Sequence, residues 1–116
     1  MAKKIQFVEE VGGEAIGFRF GLLAQSFTEE ISGVSINEIF QRIASGKNIQ
    51  AMLFYYYGGI KAYNEYNGIS KDLTIPMVSE IIEEIGEKKA TEIYISSLAY
   101  FKTTLPEQKP EGSNSN

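Results

Sequence analysis

The chain has no cysteine, no histidine and no tryptophan, and only three prolines in 116 residues. Without cysteine there is no disulfide framework and no thiolate nucleophile. Without histidine the commonest general base is missing, and so is the ligand that most zinc sites use. Positive charge is scarce: eleven Lys and Arg stand against fifteen Asp and Glu, a formal net charge of −4. The basic residues gather no further than the pairs Lys3-Lys4 and Lys88-Lys89. A nucleic-acid surface would have to be built against that field, so no nucleic-acid partner is expected. Long apolar runs are lacking too. None approaches the roughly 18 residues of a membrane span or has the layout of a signal peptide, so the expected location is cytoplasmic, without membrane contact.

What is present suits a globular protein. Hydrophobic residues make up 43% and charged residues 22% of the chain, enough apolar surface to offset the entropy lost on ordering. The length allows one core, placed over residues 1–105. Residues 106–116 read as a disordered polar tail, dispensable for folding, because 107–116 contains no hydrophobic residue to dock.

The first segment predicts a hairpin. Residues 4–11 and 14–20 flank Gly12-Gly13, and two glycines tolerate the positive φ of a primed two-residue turn. That turn sets the register: Val11 opposite Glu14, Glu9 opposite Ile16, Phe7 opposite Phe18 and Ile5 opposite Phe20. One face then carries Ile5, Phe7, Ile16, Phe18 and Phe20 and needs a helical layer over it.

From Gly21 the period changes. Leu23, Phe27 and Ile31 predict the buried stripe of a helix with Glu29 and Glu30 outward and Gly33 as its stop. Ser35 and Glu38 predict a reciprocal capping box, stapled by Val34 and Ile39. It opens a helix over 36–44 that buries Ile36, Ile39, Phe40 and Ile43 and stops at Gly46. Asn48 is the expected cap of a central helix through Met52, Leu53, Tyr56, Ile60 and Tyr63, ending at Asn67-Gly68. Gly58 and Gly59 cost that helix about 1 kcal/mol each, which predicts a close helix crossing. Thr74 caps a helix with Pro76 in its first turn, a stripe of Val78, Ile81, Ile82 and Ile85, and Glu80, Glu83, Glu84 and Glu87 outside. The last helix, about 88–103, presents Ile93, Tyr94, Leu98 and Phe101 before Pro106. The fold class is mainly α: four to five helices with an N-terminal β-hairpin.

No catalytic set emerges, and neither enzymatic activity nor a cofactor or metal is expected. Gly12-Gly13 lacks the spacing of a phosphate or dinucleotide loop, and Ser45-Gly46-Lys47 reads as helix punctuation. The pairs Glu9-Glu10, Glu29-Glu30 and Glu83-Glu84 are adjacent, so their side chains diverge. Tyr55-Tyr56-Tyr57 is the conspicuous run. Successive helical positions differ by about 100°, so Tyr56 is expected in the core and at least one of Tyr55 and Tyr57 at the surface. Tyr55, Tyr57 and Tyr63 are the candidate protein-binding residues.

The order of elements carries a resemblance. A hairpin ending in Phe18-Arg19-Phe20 leads to a helix, then Ser32-Gly33-Val34-Ser35-Ile36-Asn37-Glu38, an aromatic-rich helix, and Leu73-Thr74-Ile75-Pro76-Met77-Val78. This pattern, over about residues 13–98, resembles the tail assembly chaperones of long-tailed (siphovirus-type) bacteriophages and prophages. The tyrosine run replaces a more aliphatic stretch of that family, and Pro76 a common acidic first-turn residue. The resemblance implies a chaperone in virion morphogenesis, in the host cytoplasm, that binds the tape measure protein and recruits tail tube subunits. It also implies that a frameshift-extended form would diverge near the polar tail. Oligomeric state stays open, a homo-oligomer included. Two other classes remain: a small phage or bacterial DNA-binding regulator, for which Arg42 and Lys47 offer little charge, and a ligand-binding helical domain, which would need a polar pocket.

Overall fold

The computed structural model describes residues 6–46 and 48–104, with side chains as far as residue 99. Strands β1 (Gln6–Val11) and β2 (Glu14–Arg19) are followed by helices α1 (Leu22–Ser32), α2 (Ile36–Ala44), α3 (Ile49–Tyr66), α4 (Ile75–Ile85) and α5 (Glu87–Thr104). The mainly helical domain with its leading hairpin is the predicted fold. The polar tail lies outside the described residues, as do Ile5 and the side chain of Phe101.

The hairpin pairs as the turn chemistry requires. Gly12 and Gly13 have φ of 58° and 81°, both positive as a type I′ turn demands. Val11 faces Glu14, Glu9 faces Ile16 and Phe7 faces Phe18. Phe7, Ile16, Phe18 and, just past the strand, Phe20 are buried.

Helix ends follow the local signals. Ser35 Oγ accepts the Glu38 amide at 3.1 Å, Asn48 Oδ1 the Ala51 amide at 3.0 Å, and Thr74 Oγ1 the Met77 amide at 3.3 Å. At the end of α3 the Ile69 amide reaches back to Asn64 O and the Gly68 amide to Glu65 O, a Schellman closure. The Glu38 carboxylate does not return to the Ser35 amide but turns forward and accepts from Arg42 Nε at 3.0 Å. A different amide, that of Ile36, is capped by Glu29 near the end of α1 at 2.8 Å. The first turn of α2 is therefore capped from two elements. Glu29 is thus more than solvated decoration.

α3 runs through the centre. Between Ile49 and Ile60 it carries no charged residue, and it is buried on nearly every side, from Ala51 through Tyr55, Gly58 and Ile60 to Ala62. A helix apolar all round belongs inside a protein. The predicted crossing is at Gly58, where an added Cβ would meet Ala24 O at 2.5 Å and the Thr28 hydroxyl closer still.

That contact corrects the expected face of α1. Ala24 and Thr28 are buried, whereas Leu23 and Phe27 are half-buried and Ile31 is exposed. At so short a separation the backbones admit small side chains, and Thr28 uses its hydroxyl to donate to Phe54 O at 3.3 Å. On α5 Ile93 is buried as expected, Tyr94 packs against the core and Leu98 is half-buried. The unexpected buried residues there are Ala90 and Ser97: Tyr55 and Tyr56 of α3 project to α5 and require small neighbours.

Candidate functional site

The tyrosine run is structural. Tyr55, Tyr56 and Tyr57 are 4%, 1% and 8% exposed, which overturns the expectation that Tyr55 or Tyr57 reaches the surface. A helix with one wet face would leave a tyrosine exposed, and α3 has no such face at this level. Tyr55 stacks on Phe20, with ring centres 4.8 Å apart and planes 9° from parallel. It meets Tyr94 edge-on at 5.3 Å, and Tyr56 meets Phe18 edge-on at 6.0 Å.

The hydroxyls complete a closed network. Ser97 Oγ donates to Tyr94 O at 2.6 Å, so the 2.6 Å contact between Tyr55 and Ser97 has the Tyr55 hydroxyl as donor. Tyr56 donates to Ala90 O at 2.5 Å. Burial pushes the Tyr55 and Tyr56 hydroxyls well above the ordinary tyrosine range, and the smaller opposing effect of Ser97 on Tyr55 does not offset it. Burial raises Tyr94 as well. Among the described residues no buried side-chain N or O lacks a hydrogen-bond partner. The tyrosine network therefore directs nothing toward a ligand.

The third candidate, Tyr63, is half-buried. Its ring fills the space that a side chain at Gly17 would need. The exposed aromatic of α3 is Tyr66, whose ring lies 4.0 Å beneath the Arg19 guanidinium.

The surface with the shape of a binding site lies elsewhere. A groove of about 430 Å³ opens between the hairpin tip, the second half of α3, the loop after it and α4. Ile16 and Ile60, both buried, form its floor, and the half-buried Val11, Leu73, Met77 and Ile81 form its walls. Its exposed rim carries Glu14, Lys71, Glu80 and Glu84. Lys71 is paired with Glu14, tying the loop to the hairpin tip. Of the wall residues, Ile81 belongs to the stripe read from Val78, Ile81, Ile82 and Ile85, while Met77 lies one turn before it on α4 and Leu73 just before the Thr74 cap. Met77 widens the apolar arc of α4 beyond that stripe, and this much was readable from its spacing to Ile81.

Other chemistry finds little support in the geometry. Arg42 is engaged with Glu38, and Lys47 lies outside the described residues. Among the described residues no group of three or more Asp and Glu side chains could hold a metal ion, and no helix is long and apolar enough to cross a membrane. Comparisons with protein families, with curated proteins and with solved structures return no match for this chain.

Proposed function

We propose that this chain is a tail assembly chaperone, of the kind its sequence resembles. It would bind the tape measure protein of a long-tailed phage and recruit tail tube subunits, acting by binding rather than catalysis. The observation that carries this reading is the open groove, with Ile16 and Ile60 as its floor and Val11, Leu73, Met77 and Ile81 as its walls, in so small a domain. A tape measure is a long helical chain with apolar stripes, and before the tube forms those stripes need cover from water. A groove built partly from helices suits such a stripe. The binding surface proposed is this groove, in place of Tyr55 and Tyr57.

The test is co-expression with the tape measure protein encoded in the same genome. The tape measure should stay soluble and co-purify with the chain. A tape measure equally soluble alone, with no tail protein retained at low salt, would sink the assignment.

A further inference from the structure

The groove is asymmetric in charge, and the asymmetry has a local cost. Its lining contains three carboxylates, Glu14, Glu80 and Glu84, and one ammonium, Lys71, which Glu14 already engages. Among the described residues the ion pairs are Glu38 with Arg42, Glu14 with Lys71 and Glu92 with Lys89, so Glu80 and Glu84 form no ion pair with another described residue. They stand one turn apart on α4, a spacing at which like charges oppose helix formation. The last turn of the helix holds Glu83 and Glu84 and no basic residue. Glu84 there also meets the negative end of the helix dipole. Two unfavourable arrangements thus coincide at the rim of an apolar groove, and a cationic occupant relieves both.

We infer that the groove receives an amphipathic helix whose apolar ridge is flanked by Lys or Arg one turn apart, the basic side chains meeting Glu80 and Glu84. The apolar ridge lies on Ile16, Ile60, Met77 and Ile81, because a helix satisfies its own backbone groups and brings only side chains to an aliphatic floor. The repeat of the two carboxylates matches the repeat of a helix laid beside α4. This inference rests on the chaperone reading and specifies which stretches of a tape measure would be held.

The probes are two fluorescent synthetic helical peptides with the same apolar ridge, one flanked by lysines and the other by glutamates. Their binding to the full chain is followed by anisotropy. The lysine peptide should bind, more weakly as salt rises, and the glutamate peptide should not. The double variant Glu80→Gln, Glu84→Gln should lose about three- to tenfold in affinity for the lysine peptide, as expected of two rim ion pairs. Its folding should be unimpaired, since it removes like-charge repulsion. Ala15 also lines the groove and is exposed, so the bulk added by Ala15→Trp should abolish binding. Equal affinity for both peptides, or no change in the double variant, overturns the inference. In co-expression, a tape measure held equally well by wild type and double variant overturns the charge inference alone. A lysine peptide bound in a Glu80- and Glu84-dependent way, with no tape measure retained, upholds it and removes the chaperone reading.

Discussion

Gly58 shows how one absent side chain places a whole helix. Glycine inside a helix costs about 1 kcal/mol relative to alanine, so on propensity alone Gly58→Ala should stabilise. The position forbids it, because the new Cβ would press on the Ala24 carbonyl of α1, and backbone cannot yield as a flexible side chain can. Overpacking of this kind costs about 1–3 kcal/mol, which outweighs the propensity gain. Gly58→Ala should therefore lower the urea midpoint, and an unchanged or raised midpoint would mean that α1 and α3 are not in close contact there. Gly59 makes room for the Phe20 ring instead, whereas Gly58 was legible as a crossing. The partner helix was not, since nothing in a pair of glycines says what approaches them.

At the scale of elements, α2 depends on two caps from different parts of the chain. Ser35→Ala removes the acceptor of the Glu38 amide and should cost about 1 kcal/mol, read as a drop in the denaturation midpoint. Glu29→Gln keeps an oxygen acceptor for the Ile36 amide but loses the charge at the helix N-terminus, and should cost less. If Glu29→Gln proved the more damaging, the docking of α1 onto α2 rather than local capping would set the stability of this corner. Ser35 was legible because its partner is three residues away. Glu29 was not, since its role depends on the turn at Gly33, where α1 stops and folds back.

For the whole molecule, the buried tyrosines couple stability to alkaline pH. In the unfolded chain Tyr55 and Tyr56 ionise near 10, while in the folded protein burial holds both protonated well beyond that. Above about pH 10 the unfolded state therefore binds fewer protons than the native one, and stability falls as pH rises. Each group contributes a slope of up to about 1.4 kcal/mol per pH unit. The contribution is fully present below pH 10 and is lost above it. Urea midpoints measured from pH 8 to 11.5 should be flat and then decline, and Tyr55→Phe should make the decline shallower. The same decline in Tyr55→Phe would show that another group drives it. The hydroxyl lost in that variant should also cost about 1 kcal/mol near neutral pH, through the contact with Ser97.

The sequence by itself determined the boundaries and the hairpin register. Caps and turns are backbone chemistry completed within a few residues, so Ser35, Asn48, Thr74, Gly12-Gly13 and the stop at Gly68 could be read without knowing any neighbour. The apolar stripes of α2 and α4 gave their inward faces, whereas tertiary structure alone decided which side of α1, and which small residues of α5, face inward. Ala24 and Thr28 displace Leu23, Phe27 and Ile31 on α1 because a glycine lies opposite, and Ser97 is buried on α5 because Tyr55 reaches it. All three tyrosines are interior because α3 is enclosed by its neighbours. The groove belongs to that second class. Its floor comes from β2 and α3 and its rim from the hairpin tip, the loop and α4, elements far apart in the chain that meet only when the core is assembled.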